Sequence, residues 1–374
     1  MSIKTTSEPI LGLSAKYFTD DQIHQQIKYK VFFRTWQFAC HESRIRNKGD
    51  YLTLSLLDQD ILVVRDAKMQ LQAFYNVCQH RGHRLLEGQG NKQRISCPYH
   101  AWTYDLGGQL IAAPNSGSVS NFDVSSICIP KIRVENFLGF IFINLDEQAP
   151  DLDECYPGVR AAILDLCPDI ESRKFAFEHH INEGCNWMTA VENYNECYHC
   201  KLAHAEFSKG IIDPSSYRIA PFGRGRVLAH TSRPTQSSEA WYEMQGSDYA
   251  SYYLWPTSSI QIYPGGMVNT YYWRPLSVDD VCVYRGWYSE DGEITETLQK
   301  VIDRDYETTF SEDLKLVRNV QRGLHSIGYR PGPLIVDPAG GIDNELSISV
   351  LHQWLRESLG ELQTNSNSNV STDP

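Results

Sequence analysis

No stretch of the chain approaches the roughly 20 uninterrupted apolar residues needed to span a bilayer, and the opening MSIKTTSEPI lacks the apolar core of a secretory signal. A cytoplasmic protein with no membrane partner is expected. Basic charge is also scarce. The 34 Lys and Arg against 46 Asp and Glu give a net charge of -12, which repels phosphate backbones and excludes the usual nucleic-acid binders. The ten cysteines follow no disulfide-scaffold rhythm. In a reducing compartment, clustered Cys and His are more often metal ligands than crosslinks. There is no internal repeat and no glycine-rich flavin or nicotinamide motif, so chemistry of that kind has to come from a separate protein.

At 374 residues the chain exceeds the roughly 250 to 300 at which single cores stop growing, so two domains are expected. Ile23, Ile27, Val31 and Phe32 sit at helical spacing after an Asp-rich start, predicting an amphipathic helix over 20–36. From 37 to 145, short runs such as Tyr51 to Leu57, Ile61 to Val64 and Phe137 to Leu145 alternate between Gly and Asn turns, the pattern of a small all-β domain. Asp146 to Pro157 reads as a connector. Beyond it strands and helices mix: antiparallel strands over 251–289 with Pro264-Gly265-Gly266 as a turn, then a long helix from Ile294 to Leu324. The catalytic part is thus assigned to 1–36 and 146–374, an α+β unit, with 363–374 a polar, mobile tail.

Two constellations carry chemistry. Cys78-Gln79-His80 and Cys97-Pro98-Tyr99-His100 each offer one thiolate and one imidazole. Two Cys on one iron and two His on the other is the ligand set of a Rieske [2Fe-2S] centre, whose neutral imidazoles raise the reduction potential. A structural Cys2His2 zinc site is the alternative, although zinc motifs usually pair like with like and here each half is mixed. His83 is not needed as a ligand and reads as a loop histidine that holds a backbone carbonyl.

The second is WMTAVENYNECYHCKLAHAEF, residues 187 to 207, with Glu196, His199 and His204. His204 lies five residues after His199, a rotation of about 140° on an ideal helix. The two imidazoles converge only if the helix bulges, for example by a π-type insertion, or ends between them. A third, anionic ligand would complete the 2-His-1-carboxylate triad of non-haem iron oxygenases. Asp313 is the leading candidate because it shares a helix face with Val317, Val320 and Leu324; Glu312 is the alternative. A Cys197/His199/Cys200 zinc site is a weaker option, since those three crowd onto consecutive turns.

In combination, CQHRGH, CPYHAW and NW-x4-ENY-x-ECYHC-x3-H resemble the α subunits of Rieske ring-hydroxylating and N-demethylating oxygenases, over about residues 30 to 355. ECYHC with EDLKLVRNVQRGL and GYRPGPL is most similar to the branch acting on quaternary ammonium compounds, the carnitine, glycine betaine, choline and proline betaine oxygenases. The resemblance implies a small Rieske domain joined to a helix-grip catalytic domain. It also implies Cys78, His80, Cys97 and His100 as cluster ligands and His199, His204 and Asp313 as ligands of a mononuclear Fe(II). Glu196 occupies the place of an acidic residue that, in the family's homotrimer, links a cluster histidine of one subunit to an iron histidine of the next, here His100 and His199. A carboxylate accepting from both imidazoles would fix their tautomers and connect the two sites. Electrons would come from an NAD(P)H-dependent reductase carrying flavin and iron-sulfur centres. An aromatic-ring dioxygenase and a non-catalytic Rieske electron carrier are the rival readings.

A trimethylammonium group is held against the faces of aromatic rings. Tyr194, five residues before His199, is the first pocket candidate, followed by Trp255, Tyr263 and Trp273; Tyr252, Tyr253, Tyr271 and Tyr272 lie on the same predicted strands, of which only about half can face a pocket. Arg274 and Asn269 are candidate donors to a substrate carboxylate.

Overall fold

A computed structural model describes residues 9–244, 246–337 and 341–362; the tail assigned to 363–374 lies outside the described residues. The predicted N-terminal helix runs from Asp21 to Lys30, started by Asp20, whose carboxylate accepts the N–H groups of Gln22 and Ile23. It stops short of the expected end. A short 3₁₀ turn, Phe32–Arg34, follows and drives Val31 and Phe32 into the core.

A seven-stranded antiparallel sheet follows in the order Gln37–His41, Phe140–Asn144, Lys131–Phe137, Leu71–Tyr75, Gln59–Arg65, Asp50–Leu56 and Gln89–Asn91. The run expected at Phe137 to Leu145 is instead a hairpin, turned at Leu138-Gly139 with both residues at positive φ. Its second strand is buried on both faces, since Phe140 and Phe142 enter one core and Ile141 and Ile143 another. A three-stranded sheet, Ile95–Ser96, Thr103–Tyr104 and Leu110–Ala112, is appended, over a small core of its own containing Leu62, Phe74, Leu85, Ile95 and Tyr104.

The second seven-stranded sheet has the order Lys174–Asn182, Val281–Ser289, Met267–Pro275, Ser258–Tyr263, Tyr249–Leu254, Val227–Ser232 and Arg218–Pro221, antiparallel throughout. Period-two alternation sorts its side chains. Tyr252, Leu254, Ile260, Ile262, Val268, Tyr272 and Tyr288 bury one face with Trp36 and Phe142. Odd-numbered residues of four adjacent strands, such as Tyr253, Tyr263, Trp273 and Trp287, face the helices. Helix Trp187–Tyr194 packs there against both the strand Met267–Pro275 and the helix Ser311–Leu324. No helix is long and apolar enough to cross a membrane among the described residues.

The long helix expected over 294–324 is interrupted. Glu296–Asp305 is α-helical, Tyr306–Phe310 forms a π turn, and Ser311–Leu324 resumes the α-helix. The π insertion anticipated between the two histidines therefore occurs on the carboxylate's side. It re-aims Phe310 and everything after it by one residue.

Candidate metal centres and cavity

The two Cys/His loops share one backbone device. The N–H of Cys78 donates to the carbonyl of His83 at 2.8 Å and the N–H of Gly82 to that of Cys78 at 2.9 Å; in the second loop Cys97 donates to Trp102 at 2.8 Å and Ala101 to Cys97 at 3.0 Å. Each turn closes on a residue at positive φ, Gly82 at 75° and Ala101 at 56°. The alanine adopts that conformation at a cost of about 1 kcal/mol. Both cysteines point into the small core and are buried, while His80 is exposed and His100 half-buried. The two imidazole centroids are 4.6 Å apart, and His80 stacks flat on Trp102 at the same distance. Tyr104 holds the first loop from beneath, its hydroxyl accepting from the Gln79 N–H at 3.0 Å and lying 3.4 Å from the Cys78 sulfur. His83 donates to the Arg84 carbonyl rather than facing the other four.

Paired inward sulfurs and paired outward imidazoles fit the donor set of a Rieske cluster. The four donors do not gather on one point, as a single zinc ion demands. Among the described residues, the group with three ligand atoms mutually within 4.8 Å is His199, His204 and Asp313.

That group forms because the helix ends. Asn186 caps Trp187–Tyr194 at its start, and the helix stops at Asn195. His199 precedes a one-turn helix, Cys200–Ala203, and His204, whose φ of -119° and ψ of 52° are not helical, separates it from Ala205–Gly210. The two Nε2 atoms then lie 3.0 Å apart, with Asp313 Oδ1 2.8 Å from His204 Nε2 and 3.4 Å from His199 Nε2. Ligands about 2.1 Å from an ion and at right angles to one another lie about 3.0 Å apart, so three mutually adjacent positions of an octahedron fit and the opposite face stays open. Each Nδ1 has a carboxylate, Glu196 for His199 and Glu312, at 2.9 Å, for His204. Asn193 donates to Asp313 at 3.0 Å. Burial opposes charge on His199, but Asp313 and Glu196 outweigh it and hold the imidazole up to about 10. Asp313 is buried too, yet the two imidazoles pull it down to about 2. The same field that favours protons between these groups favours a divalent cation.

The triad closes one end of a cavity whose wall is the helix-facing side of the second sheet. Tyr194 is held there by its hydroxyl, shared with Ser251 at 2.6 Å and with Ser259 and the Gln261 amide at 2.7 Å. Its ring lies 4.8 Å from Trp273 and 5.0 Å from Tyr271. Among the described residues no Lys or Arg lines the cavity, whereas Glu183, Glu196, Asp305 and Asp313 do. Asp305 is matched by the buried Arg285, which sits behind the Tyr271 ring, 4.5 Å from its centroid. Burial, then the charge of Asp313, pushes the Glu183 carboxyl up to about 8.

Of the aromatic candidates, Tyr194, Tyr263, Trp273 and Tyr271 line the cavity. Trp255 does not: it lies beyond the end of its strand, between Trp187 and Trp354 in the core. Arg274 is on the other face of the sheet by parity, stacked 4.3 Å from the Tyr284 ring, and cannot reach a substrate in the cavity. Asn269 has the right parity but spends its amide on the Gly286 carbonyl, outside the lining. Val320 is half exposed, its place on the buried face taken by Gln321, which donates to Asp279 and accepts from Asn186. Cys197 and Cys200 are joined by a disulfide, against the expectation that clustered cysteines serve metals, because the turn before His199 brings their Cα atoms to 4.8 Å. Sequence reasoning missed Glu183, Asn193, Gln261 and Tyr104. Glu183 and Gln261 were accessible to strand parity; Asn193 and Tyr104 had no signal outside the folded contacts.

Residues 35–123 match the family described as Rieske [2Fe-2S] domain, and residues 171–361 the family described as ring hydroxylating alpha subunit (catalytic domain). The chain is 33% identical to the carnitine monooxygenase oxygenase subunit of Escherichia coli K12, over 92% of this chain and 93% of that protein. It is 26% identical to the glycine betaine monooxygenase oxygenase subunit of Pseudomonas aeruginosa, over 86% and 84%. Among solved structures, the quaternary ammonium Rieske monooxygenase CntA in complex with L-carnitine superposes with a TM-score of 0.85 at 29% identity, covering 94% of this chain and 96% of the other.

Proposed function

The chain belongs to the family of Rieske ring-hydroxylating oxygenase α subunits, and from that premise we propose that it is the oxygenase component of a monooxygenase that oxidises a small quaternary ammonium compound. The observation that carries the reading is the cavity itself, in which a convergent His199, His204 and Asp313 face aromatic walls with a surplus of carboxylates and, among the described residues, no Lys or Arg. Such a lining suits a cation that offers no hydrogen bond.

The family's cofactors are a Rieske cluster and a mononuclear iron, and its members act on small substrates with electrons from a reductase partner. When bound, the two centres deliver electrons one at a time and activate O2, placing one oxygen atom in a substrate C–H bond and releasing the other as water. We assign Cys78, His80, Cys97 and His100 to the cluster and His199, His204 and Asp313 to the iron. Glu196 accepts from His199 Nδ1 and so leaves Nε2 free for the metal. Its second role, joining that imidazole to His100 of a neighbouring subunit in a homotrimer, rests on the family resemblance; the buried His100 Nδ1, without a hydrogen-bond partner among the described residues, is left for the cluster iron. Tyr194, Trp273 and Tyr263 hold the ammonium group. Hydroxylation at a carbon beside nitrogen gives a hemiaminal that collapses with C–N cleavage. The electron donor is an NAD(P)H-dependent reductase with flavin and iron-sulfur centres, and the compartment is the cytoplasm. The chain divides into residues 37–145 around the cluster and the remainder around the iron.

Turnover of choline, glycine betaine, carnitine and naphthalene with a surrogate reductase tests this reading. Product from at least one ammonium compound, and none from the arene, is expected. The reverse pattern sinks it in favour of an aromatic-ring dioxygenase.

A further inference from the structure

We propose that Glu183 is the specificity-determining counter-charge of this cavity, its carboxylate holding the quaternary nitrogen of the substrate beside the iron. The inference rests on the quaternary ammonium reading above and adds the residue that discriminates charge.

Glu183 is placed with little freedom. Its N–H donates to the Val281 carbonyl at 2.9 Å, extending the pairing of the strand Lys174–Asn182 by one residue on the odd, helix-facing side. Its own carbonyl accepts from Arg318 Nε at 3.0 Å, and Arg318 Nη2 takes the Asn182 carbonyl at 3.0 Å. Arg318 belongs to the helix that carries Asp313. The backbone bearing Glu183 is thereby tied to the element bearing the candidate iron ligand.

Among the carboxyl groups of the lining, Glu183 is the one without an ion-pair partner among the described residues. Every other carboxylate of the lining has a strong partner: Asp305 has Arg285, Glu196 has His199, and Asp313 has both imidazoles and Asn193. Glu183 is 8% exposed, forms no ion pair among the described residues, and has as donor only the Cys185 thiol, at 3.8 Å. A thiol is a weak donor, and burial with the charge of Asp313 pushes the carboxyl up to about 8, so at neutral pH it is largely protonated in the empty cavity and gives up that proton when a cation binds beside it.

The chemistry of the substrate supplies the reason. A ferrous ion with one carboxylate ligand keeps a net positive charge, which repels an ammonium brought close enough for its methyl carbon to be oxidised. Aromatic faces attract the cation but do not cancel that repulsion. A second carboxylate on the same cavity does, with little solvent to screen it. A neutral molecule of the same shape gains nothing from Glu183.

Calorimetric titration of the resting holoenzyme, without reductant and hence without turnover, compares choline with 3,3-dimethylbutan-1-ol, in which carbon replaces the nitrogen. The wild type is expected to bind choline at least about tenfold tighter than the alcohol. Glu183→Gln, of the same shape, loses most of that preference and binds the alcohol as before. Equal affinities in the wild type, or an undiminished preference in Glu183→Gln, overturn the proposal. Should the glutamine variant not fold, judged by near-ultraviolet dichroism and cluster absorption, Glu183→Asp is measured instead and must weaken choline several-fold but not the alcohol. If choline, glycine betaine and carnitine all fail to bind the wild type while an arene binds, the function proposed above falls as well. Ammonium binding indifferent to position 183 overturns this inference alone.

Discussion

The two metal-binding regions solve the same problem at opposite sequence ranges. The cluster loops place the four proposed ligands within 23 residues, on two turns of nearly identical hydrogen bonding that a small core supports from below. The iron triad draws on two helical segments more than a hundred residues apart and depends on where each helix breaks. The first is a local device near the surface, with His80 exposed; the second is assembled by tertiary packing, with His204 2% exposed. Surface imidazoles suit a centre that must exchange electrons with another protein. A buried triad suits one that must exclude water from its reaction.

The contrast is sharpest if each region is disabled alone. Cys78→Ser is expected to abolish the cluster's visible absorption and all turnover while the chain retains iron at the triad. Asp313→Ala is expected to keep the absorption, lose the mononuclear iron, and lower turnover at least about a thousandfold. Metal analysis with absorption spectra separates the two; loss of both centres in either variant would show that the regions do not load independently. Glu196→Ala should leave both centres filled and still stop most turnover, because the imidazole of His199 loses its orienting carboxylate and its connection to the neighbouring cluster. Near wild-type rates in that variant, with full metal content, would remove Glu196 from the electron route.

A smaller effect is expected at Glu312. Removing the carboxylate from His204 Nδ1 in Glu312→Ala should weaken iron binding about 10- to 100-fold, the usual range for such supporting groups, without touching the cluster spectrum. Unchanged iron affinity in a chelator competition would reduce Glu312 to a surface acid. The smallest effect is on stability. In iron-stripped protein His199 is held up to about 10 from its usual 6.5, so its contribution is fully present below 6.5 and is lost as pH rises through about 10. Asp313, lowered from 3.8 to about 2, contributes above 3.8 and loses that contribution as pH falls through about 2. Melting temperatures of stripped protein should therefore decline between neutral pH and 10 more steeply than those of iron-loaded protein, in which the metal replaces the titrating protons. Parallel declines would mean that the triad is not where iron binds.

These differences follow how far each feature was legible in the residues. The Rieske domain could be read directly, since C-x-H and C-x2-H carry the proposed ligands together. The triad was half legible. The five-residue spacing of His199 and His204 required a bulge or a helix end, and the structure shows the end, while a π turn lies instead before Asp313. The face assigned to Asp313 was drawn through Val320, but Gln321 occupies the buried position because its amide finds partners in the buried Asn186 and the half-exposed Asp279. A polar side chain can enter a core where its hydrogen bonds are met, and hydrophobic periodicity does not register such exchanges.

The order of residues by itself determined the two kinds of metal site, the all-β character of the first region and the alternation that splits the second sheet's aromatics between a core and a cavity. Those properties depend on side-chain chemistry at short spacing and on the pleat of a strand, both of which act locally. Only the tertiary structure decided that Trp255 belongs to the core, that Arg274 faces away, and that Glu183 stands unmatched among paired carboxylates. Charge balance and burial are sums over neighbours that the chain brings together from distant positions, so they exist only once the fold has formed.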